Sequence, residues 1–392
     1  MPQLASKSSC TGCTACMNIC PKKCISMKQD SSGFGYPEIN LSECISCGKC
    51  ESSCPLLIEK EEEKIRPIAL AAYSTDENMR LESSSGGVFS EFSKWIFENG
   101  GVVYGAAYNE CFEIQHICAE NRNDLSKLRG AKYAQSLLGT TFKEIKNRLM
   151  NGQLVLFSGT PCQVSGLKTF LRKDYENLVC LDFVCHGVPS PMVWKEYIKY
   201  RMKEDRENTF PIAINLRDKN TGWSRYGYSN VFQYADGQVH SNKNGDSLFM
   251  KLFVGDYINR ESCSKCHFKG YSRVSDITLG DFWGIWDIAP EMDDDKGTSV
   301  ILIQSEKGNQ IWKQIQYNLR YMEVSLEQAS QHNPSMLVSS KSKEGREKVL
   351  SLIQSGRIDE CRNLFVVREV SIFVRMKNKI RNFIKSKVLL KK

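Results

Sequence analysis

The 392-residue sequence has no uninterrupted apolar run approaching the ~20 residues that span a bilayer, which speaks against an integral membrane protein. It opens on MPQLASKSSC, without a basic stretch leading into an apolar one. The expectation is therefore a cytoplasmic chain in reducing surroundings, with no secretory signal. No G-x-G-x-x-G follows a strand-like run, and GGVVYG at 100–105 has the wrong order, so a Rossmann-type NAD site is not supported; a P-loop is also missing. A general basic field is lacking as well. Lys and Arg number 53 against 45 Asp and Glu, but residues 368–392 alone hold nine bases and one acid, Glu369. The rest balances at 44 of each sign, so nucleic acid is not an expected partner and the excess is a patch on a tail.

What the sequence has in excess is cysteine, 17 in all. In a reducing compartment these read as metal ligands before disulfides. The length suits two to three domains, and 41% apolar with 25% charged residues is ordinary soluble usage. Composition divides the chain into a cysteine-rich module (1–57), a charged linker IEKEEEKIRP (58–67), a body (68–367) and a tail (368–392).

In the module, Cys10, Cys13, Cys16 and Cys20 with Pro21 form C-x2-C-x2-C-x3-C-P, and Cys44, Cys47, Cys50 and Cys54 with Pro55 repeat it. This is the bacterial two-cluster ferredoxin pattern. Three close thiolates wrap three irons of a 4Fe-4S cubane and the fourth cysteine reaches the other cubane. On that pattern one cluster takes Cys10, Cys13, Cys16 and Cys54, and the other Cys44, Cys47, Cys50 and Cys20. Zinc also accepts four thiolates but does not call for this doubled spacing. Cys24 is left over and reads as a small buried residue.

The body alternates strand-like runs with amphipathic stretches. VVYGAAY (102–108), LVLFSG (154–159), LVCLDFVC (178–185) and SVILIQ (299–304) read as buried strands, while GVFSEFSKWIFENG, TFKEIKNRLMNG and NQIWKQIQYNL read as helices. The fold class expected is an α+β ferredoxin-like module followed by a larger α/β domain with a mainly parallel or mixed sheet. Cys162 and Cys185 each follow a strand, and Cys263 and Cys266 form CSKC. Parallel strands deliver their carboxyl ends to one edge, so these four cysteines can converge on one metal. Simple burial, zinc and a redox pair stand beside that reading. In the tail, Phe373, Met376, Ile380, Phe383, Ile384 and Val388 recur at helical steps among basic residues. That is a basic amphipathic helix, either docked on the protein or resting peripherally on an anionic membrane face or an acidic partner.

Six motifs in order, LESSSGGVFS (81–90), LRGAKYAQS (128–136), LVLFSGTPCQVSGLK (154–168), DFVCHGVPSP (182–191), CSKC (263–266) and SDITLGDFWG (275–284), resemble the beta subunit of coenzyme F-420 hydrogenase and dehydrogenase over residues 68–340. The resemblance implies FAD held in the α/β body and a third 4Fe-4S cluster on Cys162, Cys185, Cys263 and Cys266. It implies that Ser84, Ser85, Gly86 and Gly87 form a flavin-contacting turn at a helix start. An ordinary Ser N-cap is the plain alternative. Lys132, Tyr133 and Ser136 are implied flavin-pocket residues. Thr160 and Pro161 shape the turn presenting Cys162, and Thr160 joins the cofactor set. His186, after Cys185, reads as a proton relay or a donor tuning the cluster, against an ordinary structural donor.

The function expected is an iron-sulfur flavoprotein oxidoreductase. A two-electron donor or acceptor, reduced coenzyme F-420 or an organic substrate, meets one-electron carriers there. The partners expected are a ferredoxin or a partner oxidoreductase subunit. The alternatives are an electron-transfer subunit without its own substrate and, from another class, a zinc-thiolate scaffold.

Overall fold

The first 58 residues are short of apolar stripes, and their order comes from turns around cysteines. The computed structural model describes residues 2–58, 66–206, 209–224 and 227–365. Strands β1 (Ile25–Gln29) and β2 (Gly35–Ile39) pair antiparallel with Ile25 opposite Ile39, and a short helix, Ala15–Ile19, carries Cys16.

The body is built on β3 (Ile68–Ser74), β4 (Val102–Tyr108), β5 (Ile114–Ala119), β6 (Val155–Ser158) and β7 (Leu178–Phe183). Further along the chain come β8 (Ala213–Asp218), β9 (Ser229–Gln233), β10 (Val239–Lys243), β11 (Ile277–Asp281), β12 (Ser299–Ile303) and β13 (Leu319–Val324). Among the described residues the main sheet runs β13-β3-β12-β11-β7-β6-β4-β5. Its centre, β4, β6, β7 and β11, is parallel, and the flanking pairs are antiparallel. The sheet is thus mixed, as expected.

Its central strands are unbroken apolar runs because helices cover both faces. Leu156 packs with Phe92, Ile96, Ile311 and Trp312 of helices Val88–Glu98 and Glu306–Ile315. Its neighbours Val155 and Phe157 point the other way, onto Phe142, Ile145 and Leu167 of helices Thr141–Met150 and Pro161–Leu171. A second core forms where helix Pro191–Arg206 meets Leu248–Val254, Arg346–Gln354 and the small sheet β10-β9-β8.

The strand expected at 102–108 has those bounds, whereas LVCLDFVC leaves the ladder after Phe183, so Cys185 sits in the loop beyond it. β8 and β10 went unread because their alternation is half polar, as suits a sheet with one wet face. The tail 368–392 and most of the linker lie outside the described residues. No helix among those described is long and apolar enough to cross a membrane.

The module is docked on the body. Cys13 and Ala15 belong to the core beneath helix Pro161–Leu171. Thr169 Oγ1 donates to Ser53 O at 2.7 Å, Asn18 Nδ2 to Gly139 O at 3.0 Å, and the Ser190 hydroxyl to Ser32 O. Gly166 permits this approach, because a Cβ there would stand 2.8 Å from Cys13 Cβ and Sγ.

Candidate cofactor sites and the cleft

The cysteines of the module separate into two groups, and in each the fourth member comes from the other sequence run. Beside Cys13 and Cys16 stand Cys10 and Cys54, whose charges the two buried thiols feel. Burial, more than that repulsion, pushes the Cys13 thiol up to about 12 and moves Cys16 in the same direction. On the far side Cys20 lines one small cavity with Cys44, Cys47 and Cys50. Cys24, read from sequence as a leftover core residue, is buried but lies in this wall, its sulfur 3.4 Å from that of Cys20.

A third group assembles in the body. β6 ends at Ser158, and the chain turns through Thr160 into helix Pro161–Leu171, with Pro161 at the first helical position and a capping box between Thr160 and Gln163. That places Cys162 in the first helical turn, where the positive end of the helix favours a thiolate. Thr160 Oγ1 is 3.1 Å from its sulfur. The parallel neighbour β7 delivers Cys185 at the same edge, and the short 3-10 helix Glu261–Lys265 brings Cys263, with Cys266 just after it. All four line one cavity with Arg260, Lys269 and Arg273. Burial pushes the Cys162 thiol up to about 11 and Cys263 to about 12, with further lifts from the neighbouring cysteines; Cys185 moves the same way. Four half-buried cysteines around one cavity, three of them with thiols pushed up by burial and by their neighbours, are a donor set that a cationic centre would stabilise as thiolates. Among the described residues no three His, Cys, Asp or Glu side chains close tightly enough for a single ion. Thiolates of a cubane stand wider, since each binds a different iron.

Above these cysteines opens a cleft of about 1260 Å³, larger than the ~300–1,000 Å³ usual for a ligand site. Ser84, Ser85, Gly87, Lys132, Tyr133, Ser136, Thr160 and His186 all line it. Gly86 does not. Its N–H donates to Ser299 Oγ at 3.0 Å, and a Cβ there would lie 2.5 Å from Ala72 O, so this glycine serves packing against β3 and β12. Gly87, at φ +83°, then starts helix Val88–Glu98. The Lys132 ammonium donates to the carbonyls of Leu128, Arg129 and Gly130 at 2.7–3.3 Å, while burial pulls its pKa down to about 7. Ser136 Oγ accepts from Gln163 Nε2 at 3.0 Å and so braces the Cys162 turn. His186 lines both the cleft and the third cysteine cavity. Its Nδ1 is 3.2 Å from Ser335 Oγ, and its Nε2 lies 2.8 Å from Asp256 Oδ1 without hydrogen-bond alignment.

Three residues that sequence reasoning missed complete the site. Arg217, on β8, forks onto both oxygens of Asp281 at 2.7 and 2.9 Å, donates to Ser84 O at 3.1 Å and lies 4.0 Å over the Tyr228 ring. Asp281 was visible in the last motif, but a lone Arg on a polar strand carried no signal. His116, on β5, lines the cleft, with Nε2 3.0 Å from Ser158 O and Nδ1 unpartnered among the described residues. Arg260 precedes CSKC and is 2% exposed. Together with the 84–87 turn, these walls suit a long ligand with apolar rings and a charged end.

Known proteins bear on this geometry. Residues 9–58 match the 4Fe-4S dicluster domain, and residues 152–329 match the family that comprises the C terminus of the coenzyme F420 hydrogenase/dehydrogenase beta subunit. The beta-subunit segment thus includes Cys162, Cys185, Cys263 and Cys266, and the dicluster segment holds the eight module cysteines. Over 325 residues the chain is 25% identical to a coenzyme F420-dependent sulfite reductase of Methanocaldococcus jannaschii, covering 79% of this chain and 46% of that protein. Over 56 residues it is 38% identical to NADH-quinone oxidoreductase subunit I 2 of Geobacter metallireducens, covering 13% of this chain and 43% of that one. The chain spans under half the length of both relatives. Among solved structures, the F420-reducing [NiFe] hydrogenase complex from Methanosarcina barkeri aligns with TM-score 0.44 and 16% identity, over 78% of this chain and 94% of that one.

Proposed function

We propose that this chain is an iron-sulfur flavoprotein oxidoreductase. In this reading it exchanges electrons between a two-electron partner at the cleft, a deazaflavin such as coenzyme F420 or another organic substrate, and a one-electron redox protein at the module. The observation that carries the reading is the unbroken order of the cysteine groups. Cys20, Cys44 and Cys50 share a cluster with Cys16, Cys13 of the next group feels Cys162 of the third, and Cys162 and Cys185 line the cleft itself. Three 4Fe-4S clusters and FAD are the cofactors proposed for these sites. When bound, the flavin supplies two-electron chemistry and the clusters one-electron steps.

The chain's own residues hold this arrangement in place. Thr160 and Gln163 fix the turn that presents Cys162, and Ser136 ties that turn to the cleft wall. Arg217 clamps Asp281 and the Ser84 carbonyl, setting the width of the cleft at the 84–87 turn. Asp256, which accepts from Asn259 Nδ2 and from the Lys341 N–H, is a fixed carboxylate beside His186 Nε2. The imidazole is thereby placed to hold a proton between the cysteine cavity and the cleft.

Anaerobic purification tests the reading. About twelve iron atoms per chain and an extractable flavin are expected. An iron-free chain, or one that binds zinc and no flavin, overturns it.

A further inference from the structure

Arg260 is a buried guanidinium whose hydrogen bonds all cross between the module and the body or brace that crossing. Nε donates to Cys10 O at 2.7 Å, Nη2 to Gly35 O at 2.9 Å and toward Cys10 Sγ at 3.9 Å, and Nη1 to Gln135 Oε1 at 2.8 Å. Gln135 in turn donates to Thr11 O at 3.2 Å. The guanidinium also lies 4.2 Å over the ring of Tyr36 and 5.3 Å over that of Phe34. Gly12 lets this happen, since a Cβ there would stand 2.7 Å from Gln135 Nε2 and 2.9 Å from Arg260 Nη1.

These acceptors are two carbonyls, an amide oxygen and a sulfur, and no carboxylate is among them. A cation so placed is costly unless negative charge lies near it. Cysteines lie on either side of it. Arg260 reaches Cys10 of one group and lines the cavity of Cys162, Cys185, Cys263 and Cys266 of the other.

We propose that Arg260 is the fixed counter-cation of the module–body junction: it docks the module and raises the reduction potentials of the two clusters that flank it, the one on Cys10 and the one on Cys162. The proposal rests on the reading given under Proposed function. Each one-electron reduction adds one negative charge to a cluster and breaks no bond. A guanidinium held on both sides of the gap favours that charge, while the outer cluster on Cys20, Cys44, Cys47 and Cys50 lies beyond its nearest reach. Arg260 is a positioning residue, since it touches no substrate.

The test is an anaerobic redox titration of the full-length protein, with each cluster followed by electron paramagnetic resonance, for wild type, Arg260→Gln, Arg260→Lys and Gln135→Glu. Removing the charge is expected to lower the reduced-to-oxidised ratio of the two junction clusters about tenfold at fixed potential, ~59 mV for one electron, and to move the outer cluster less. Arg260→Lys, which keeps the charge, is expected to stay near wild type. Gln135→Glu sets a carboxylate against the guanidinium without removing it and is expected to shift the same two clusters downward. If Arg260→Gln fails to load iron, the Gln135→Glu titration decides. Full iron content with junction potentials unmoved in the charge-altered proteins overturns the inference and leaves the proposed function standing. Absence of iron from the wild type overturns the proposed function itself.

Discussion

Lowering the pH from 8 to 5 should weaken the fold through His116. The imidazole is buried in the cleft wall, and burial pulls its pKa from 6.5 to about 4, opposed only in part by the Ser158 carbonyl at Nε2. A group whose folded pKa is depressed contributes fully above its unfolded pKa, and that contribution is lost as pH falls toward the folded value. The window is therefore 6.5 down to about 4. At ~1.36 kcal/mol per pKa unit the whole loss is about 3 kcal/mol, of which about 2 kcal/mol has gone by pH 5. Asp182, which burial raises to about 6, acts with the opposite sign, but it is common to any pair of proteins compared at position 116. The assay is anaerobic urea unfolding of wild type and His116→Gln at pH 8 and pH 5. Glutamine keeps a donor for the Ser158 carbonyl and takes no proton in this range. The wild type should lose about 2 kcal/mol more than the variant between the two pH values. Equal losses would refute the reasoning, because they would mean that the imidazole is solvated enough to charge in the folded state.

Other outcomes follow from the same geometry. Arg217→Gln should cost about 3–5 kcal/mol in thermal unfolding, because Asp281 keeps its charge in the cleft wall without the guanidinium fork; Asp281→Asn should cost a similar amount. Gly86→Ala should lose about 1–3 kcal/mol from crowding the Ala72 carbonyl. Gly245→Ala, at a position open on all sides, should be neutral or gain up to about 1 kcal/mol in the same experiment. Cys162→Ser should lose about four irons and retain about eight, measured by iron analysis, and an undiminished iron content would remove the third cluster from the account.

How far the sequence reached is clearest at particular residues. The doubled C-x2-C-x2-C-x3-C-P spacing is local chemistry, so the eight module cysteines were legible from order alone. So were β4, a short apolar run, and the helices at 88–98 and 141–150, whose 3.6-residue period repeats over enough residues to stand above noise. Motif order also carried Cys162, Cys185 and the CSKC pair. What only the tertiary structure decided is which distant groups share a space. Gly86 belongs to packing and Ser84 to the cleft, although they are two residues apart, because the backbone turns between them. Arg217, His116 and Arg260 are single charged or polar residues on polar stretches. Their roles exist only once β8 lies across Asp281, β5 beside β4, and the module against the helix behind Cys162. A sequence records such residues one at a time; burial and neighbouring charge arise from long-range contacts, and those were settled when the sheet closed and the module docked.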